Sequence, residues 1–154
     1  MAPSNQDSLD DMLTVPEIQK RYSPDCDHFH QLGAQCVVIT LGHRGVLASY
    51  LEPPDVNGNQ GQRTFFCPAK KKEPQPVDET GASDAFIGAY AVEIVRQMTT
   101  RGSATLDIGA AIEHGIKAGG LTTGKFGSFL AIPWRPEWDG EDVQWLTANP
   151  FQST

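Results

Sequence analysis

Basic side chains are in short supply. Twelve Lys and Arg stand against nineteen Asp and Glu, for a net charge of −7 and a pI near 4.9. That excludes the basic face needed to track a nucleic-acid backbone. It does not exclude a nucleotide site, because backbone amides can bind phosphate locally. Cysteine is also scarce: Cys26, Cys36 and Cys67 are odd in number and form no C-x-x-C pair. They read as reduced thiols of an intracellular protein, not as a disulfide framework. The four histidines, His28, His30, His43 and His114, lack zinc-site partners. His28 and His30 near Cys26 form a weak metal pattern, and polar surface histidines are the better reading. No apolar run approaches the roughly 18 residues of a membrane span. Met1 is followed by polar residues, not by the segments of a signal peptide. The expected setting is cytoplasmic, with the nucleus open, and without membrane or nucleic-acid partners.

Glycine (15) and proline (11) are plentiful, so many turns are expected, and 154 residues suit one compact domain. Residues 1–15 are polar and look loose. Short helices are expected over 16–22 and 25–32, the second stopped by Gly33. The run Cys36–Leu41 is β-branched and bounded by glycines, as in a buried strand; Gly42 to Gly45 is a turn and Val46–Tyr50 the returning strand. Residues 52–63 form a polar loop expected to be mobile, and Thr64–Cys67 a further strand. The Lys70–Lys72 charge run reads as a solvated loop. A long helix is expected from Asp84 to about Met98, with Phe86, Tyr90, Ile94 and Met98 on one stripe and Ile87, Ala91 and Val95 on the next, implying burial on several faces. A second helix over 106–121 is rich in alanine and glycine. After it come a strand-like stretch, 128–132, and a short helix over 139–146. There is no internal repeat and no clear domain boundary.

The chemistry concentrates at Gly81-Ala82-Ser83-Asp84, a small, polar turn opening a hydrophobic helix. A helix N-terminus carries unpaired N–H groups and about +0.5 of an elementary charge. Small residues let an anion approach those amides, which can then stabilise charge on a transferring phosphoryl group. Asp84, on the first turn, can take a proton from an attacking hydroxyl. The competing reading is structural: Ser83 and Asp84 are ordinary helix-capping residues worth about 1 kcal/mol.

The stretch Val77-Asp78-Glu79-Thr80-Gly81-Ala82-Ser83-Asp84-Ala85-Phe86 resembles the signature of the PfkB carbohydrate kinases, whose usual form is D-T-x-G-A-G-D-x-F. The resemblance implies an anion hole at Gly81, Ala82 and Ser83 and a catalytic base at Asp84. Ile39-Thr40-Leu41-Gly42-His43-Arg44-Gly45-Val46 resembles the family's strand-turn-strand, which implies nucleotide-phosphate contacts at Thr40, Gly42 and Gly45. A plain glycine hairpin is the alternative. Resemblance further places Gly115 and Ala118 near the nucleotide, with close helix packing as the alternative, and puts Asp78, Thr80 and Gly127 beside a potassium-like cation. The implied fold is α/β, part of a doubly wound, mostly parallel, ribokinase-like sheet flanked by helices, with a β-hairpin near the nucleotide site. The implied substrates are ATP, with magnesium, and a small sugar, ribose foremost; a homodimer stays open.

Some positions depart from the family pattern. Ser83 replaces a glycine, at a cost in strain if that position needs φ > 0. Glu79 replaces Thr or Asn and brings negative charge. Thr122 and Ala131 replace an alanine and a serine of the cation loop. Where the family has a magnesium-organising N-x-x-E stands Asn5-Gln6-Asp7-Ser8, in which Ser8 replaces the Glu, or, shifted by one, Ser4 replaces the Asn and Asp7 keeps a carboxylate; metal ligation is expected of neither. The resemblance spans most of this chain but only the C-terminal half of the family, so residues 1–154 are expected to lack the sugar-binding half and the lid, as in a truncated or split product. Gly119 to Phe126 nearly spells a P-loop, but Phe126 stands where a magnesium-binding hydroxyl is needed. A kinase active only when its missing half is supplied, a non-catalytic nucleotide-binding or interaction module, and an unstable fragment are the three readings left open.

Overall fold

The structure is a computed structural model that describes residues 13–69, 76–101, 106–134 and 137–138. It divides into two compact units, residues 1–71 and 72–154. The 139–146 helix, Asn5 to Ser8, Lys70–Lys72 and Trp145 lie outside the described residues.

In the first unit, helix α1 (Val15–Gln31) is followed by strands β1 (Cys36–Thr40), β2 (Gly45–Leu51) and β3 (Gln62–Pro68), in sheet order β1-β2-β3. All pairs are antiparallel, Ile39 facing Leu47 and Leu47 facing Phe66. The class and the hairpin are those expected. Only antiparallel pairing is present among the described strands, because their connections are too short for the crossover that parallel pairing requires.

The two short helices expected over 16–32 are one, and Pro24 lies inside it. A proline there forfeits a backbone hydrogen bond. Burial holds the helix together: Ile18 and Cys26, eight residues apart on one face, flank that turn and pack with Val37 and Leu47. Gly33, at φ 98°, ends the helix as expected; the amide of Ala34 then reaches the Phe29 carbonyl at 3.0 Å. Loop 52–61 carries an internal turn. Asp55 Oδ1 accepts from the amides of Asn57 and Asn59, each at 2.8 Å.

In the second unit, α2 (Ala82–Arg101) packs on α3 (Ile108–Thr122), and a one-turn helix α4 (Ser128–Ala131) follows. The 128–132 strand is therefore helical. Phe129 and Leu130 are both exposed while Ala131 is buried, so the alternation a strand needs is missing. Burial on several faces of α2 is likewise corrected. Its buried stripe is Ala85, Ala89, Glu93 and Gln97, with Phe86 beside it, whereas Ile87, Ala91, Val95 and Met98 are exposed. Contact with α3 requires small residues: a Cβ on Gly115 would lie 2.6 Å from the Phe86 ring, and one on Gly119 would lie 3.0 Å from the Ala82 carbonyl. Gln97 closes the far end, its amide bonded to the backbone of Asp107, which caps α3 by accepting from Ala110 N–H at 2.9 Å.

Candidate active site

The turn that opens α2 is built in three steps. Asp78 Oδ1 accepts from the Thr80 amide at 2.9 Å and from its hydroxyl at 2.7 Å, an Asx-type turn. The Glu79 carbonyl then accepts from Ala82 N–H at 3.2 Å, closing a β-turn with Gly81 third. Gly81 has φ 84°, the conformation such a turn requires of that position. Finally the Gly81 carbonyl accepts from Ala85 N–H at 2.9 Å, so Gly81 caps the helix.

This arrangement decides which amides remain for an anion. Ala82 N–H is committed to Glu79. The Ser83 and Asp84 amides point along the first helical turn with no partner among the described residues. Ser83 is helical, so a side chain costs nothing in backbone strain there; the position that needs glycine is Gly81. Glu79 and Ser83 are both exposed. The Asp84 carboxylate is exposed too, and no side chain among the described residues ties it down.

Asp84 lines a groove of about 210 Å³ together with Ala85, Gly88, Ala89, Ala118, Pro133 and Trp138. Trp138 is buried against Ala85, Ala89 and Ala118. Its approach is set by Glu137, whose carboxylate accepts from the Trp134 amide at 2.6 Å. Both tryptophans read from sequence as packing residues; Trp138 is one, and Trp134 is 73% exposed. No sequence signal separates the two, because nothing in their spacing shows which ring turns inward.

Asp78, Thr80 and Gly127 are brought together. Asp78 Oδ2 accepts from Gly127 N–H at 2.9 Å, beside the two bonds from Thr80. These bonds, that of the Thr80 side chain foremost, hold the Asp78 carboxyl below its ordinary range. The fit to a potassium ion is poor. Three of about four lone-pair sites on Asp78 are taken. Ala131 offers no hydroxyl, and the Thr122 hydroxyl, which donates to the Ala118 carbonyl at 3.1 Å, keeps only its lone pairs for an ion. Among the described residues no three His, Cys, Asp or Glu side chains cluster as metal ligands. Magnesium that arrives with a nucleotide needs only one or two carboxylates besides the phosphates.

The remaining candidates are placed individually. Gly115 is buried under Phe86, and Ala118 lines the Asp84 groove. In the first unit Thr40 is exposed at the end of β1, and Gly42 (φ 55°) opens the turn. Gly45 is compelled twice, by φ 125° and by the Cys67 carbonyl, which a Cβ would meet at 2.1 Å. Arg44, which carries no role from sequence, donates from Nη2 to the Leu13 carbonyl, while its buried Nη1 has no hydrogen-bond partner among the described residues.

His30 is neither a ligand nor a free surface group. Its Nδ1 donates to the Ala34 carbonyl at 2.7 Å, and in the neutral ring Nε2 then accepts from the Ser49 hydroxyl at 2.9 Å. Burial, then the nearby Asp27 and Asp25, pushes the Cys26 thiol up, which makes it inert.

Among the described residues no helix is long and apolar enough to cross a membrane. No curated protein sequence matches the chain. Among solved structures it is similar to the ribokinase of Thermotoga maritima, at 26% identity and a TM-score of 0.54, over 74% of this chain and 32% of that one. It is similar in fold to the aminoimidazole riboside kinase of Salmonella enterica, solved with aminoimidazole riboside and an ATP analogue, at 24% identity and a TM-score of 0.53, over 73% of this chain and 33% of that one. The chain thus spans about a third of the length of each. Residues 5–135 match the pfkB family of carbohydrate kinases, and the chain belongs to that family.

Proposed function

We propose that this chain is the C-terminal, nucleotide-binding half of an ATP-dependent carbohydrate kinase, with D-ribose to ribose 5-phosphate as the foremost reaction and the sugar-binding half supplied by further polypeptide. The observation that carries the reading is the pairing, within one helical turn, of two amides, Ser83 and Asp84, and the exposed Asp84 carboxylate, none of which has a partner among the described residues. Asp84 takes the proton of the sugar hydroxyl; that oxygen bonds the γ-phosphorus as the bond to the bridging oxygen breaks and ADP leaves. The Ser83 and Asp84 amides, aided by the helix dipole, take up the charge that develops on the phosphoryl oxygens. Magnesium, when bound, supplies charge neutralisation on the phosphates. No step runs through a monovalent cation.

The same reading gives the Thr40–Gly45 turn a phosphate-contacting role and Ala118 a place against the nucleotide. It assigns Gly115 chiefly to packing, and it sets the protein in the cytoplasm without a nucleic-acid partner. The test is Asp84→Asn in a protein carrying the rest of the fold, assayed for transfer from ATP to ribose. A loss beyond 100-fold is expected; retention above a hundredth of wild-type activity rejects Asp84 as the base.

A second reading, a nucleotide-binding module without catalysis, is favoured by Glu79, which brings an exposed negative charge into the turn beside the proposed phosphate site. Calorimetry with ATP and ADP on the chain itself tests it, and absence of binding at millimolar nucleotide removes it.

A further inference from the structure

The loop that joins β2 to β3 holds an Asn-Gly pair in a closed turn. The Asp55 carbonyl accepts from the Gly58 amide at 2.9 Å, and the Asn59 carbonyl accepts from the Asp55 amide at 2.9 Å. Asp55 Oδ1 adds the bonds from the Asn57 and Asn59 amides. Gly58 takes the positive φ, 81°, that such a turn requires at that place. Its two asparagines are held differently. Asn59 gives its carboxamide to Asp55 Oδ2 at 3.3 Å, and the bulky Gln60 follows it. The Asn57 carboxamide has no hydrogen-bond partner among the described residues, and the residue after it has no side chain to crowd its nitrogen.

We propose that Asn57 is a site of spontaneous deamidation, gated by the Asp55 turn. Asparagine is among the thermolabile side chains. The Gly58 nitrogen bonds Asn57 Cγ and gives up its proton; the side-chain nitrogen leaves as ammonia, and a cyclic imide joins the two residues. Water then opens the ring. Breaking the bond from Cγ to nitrogen leaves aspartate. Breaking the main-chain bond instead leaves isoaspartate, with the backbone rerouted through the side chain. The sum is one water consumed and one ammonia released. The reaction is internal to the chain and needs only water, so no catalyst has to reach the loop. Attack requires the Gly58 amide to leave the Asp55 carbonyl, so the turn must open first. Either product sets a second carboxylate beside that of Asp55, whose oxygens already accept three bonds. The two charges repel, and the extra methylene of isoaspartate breaks the spacing of the turn. Conversion therefore loosens the end of β2 that lies opposite Gly45.

The test is peptide mapping of the intact chain during incubation at pH 8 and 37 °C, with isoaspartyl content measured alongside. Asn57 should convert within days, and at least tenfold faster than Asn59, which shares its loop. Asp55→Ala removes the bonds that close the turn and should speed conversion of Asn57 at least threefold, toward the rate in the same chain unfolded in urea. Asn57→Gln should remove the isoaspartate that otherwise accumulates between residues 52 and 62. Three results would overturn the proposal: no conversion at Asn57, equal rates at Asn57 and Asn59, or a rate at Asn57 that Asp55→Ala leaves unchanged. None of these readouts measures nucleotide binding or phosphoryl transfer, so failure here leaves the role of Asp84 standing.

Discussion

The carboxylate of Asp78 reaches across 49 residues of sequence to accept a hydrogen bond from the amide of Gly127, at 2.9 Å. Its other oxygen is held by Thr80. One side chain therefore ties the turn that starts α2 to the turn that follows α3. The backbone reinforces the tie, because the Val77 amide donates to the Thr123 carbonyl at 2.8 Å. The position of the Ser83 and Asp84 amides depends on this anchoring.

Acid should weaken that tie. The folded pKa of Asp78 lies below its ordinary 3.8. A depressed carboxyl stabilises the fold above the unfolded pKa and loses that contribution as pH falls through the folded value. Asp78→Asn should therefore lower the melting temperature at pH 7, and the gap to the unaltered protein should narrow as pH drops below about 3.8. Glu17, Asp55 and Glu137 are also depressed by hydrogen bonds, from Thr14, Asn59 and Trp134 respectively, so both proteins lose stability in acid. The difference between the two melting curves isolates Asp78. A gap that stays constant from pH 7 to pH 2.5 would refute the assignment.

The Asp84 carboxylate is exposed and has no partner among the described residues, so it contributes nothing to the fold that Asn cannot replace. Asp84→Asn should shift unfolding free energy by less than about 0.5 kcal/mol. Because Asn caps a helix as well as Asp does, capping is tested by Asp84→Ala: a capping role would cost about 1 kcal/mol, whereas a purely catalytic role leaves stability nearly unchanged while phosphoryl transfer is lost. Urea denaturation of the unaltered and Asp84→Ala proteins decides between them.

Glycine carries different burdens at different positions. Gly115→Ala puts a methyl 2.6 Å from the Phe86 ring, which must move, and should cost about 1–3 kcal/mol. Gly88→Ala, with open space around the added methyl, should stabilise α2 by about 0.5–1 kcal/mol. Thermal melts of the two variants should therefore shift in opposite directions. A stable Gly115→Ala protein would mean that the α2–α3 contact is looser than described.

Much of this was legible in sequence where one physical signal acts alone. The Gly81–Asp84 turn shows itself because a positive-φ glycine and small residues precede a long apolar run. The hairpin shows itself because Val37 to Thr40 are β-branched and Gly45 leaves no space for a side chain. Legibility fails where tertiary contact outweighs local preference. Pro24 signals a break, but burial of Ile18 and Cys26 on one face carries the helix through it. Phe129 and Leu130 suggest a strand, yet the turn after Gly127 leaves both exposed. Glu93 and Gln97 look like surface residues of α2, but they lie on its buried stripe because each finds a polar partner there. His30 looks like a surface histidine, because its partner Ser49 is 19 residues away.

That partnership supports the last prediction. Ser49 is fully buried, and its hydroxyl donates to His30 Nε2 while accepting from Gln62 at 3.1 Å and Thr64 at 3.3 Å. One oxygen thereby joins α1, β2 and β3. Ser49→Ala leaves the His30 acceptor without its donor and deprives Gln62 and Thr64 of an acceptor. Gln62 retains Asp27, at 3.0 Å, so part of the loss is recovered. An unsatisfied buried polar group costs about 1–3 kcal/mol, and this variant should fall within that range. The double substitution Ser49→Ala, His30→Phe removes the orphaned acceptor together with its partner. If the hydroxyl–imidazole bond is the reason the single variant suffers, His30→Phe should cost less in the Ser49→Ala background than in the native one. Strict additivity in that cycle, measured by denaturant unfolding, would show that the two side chains are merely adjacent.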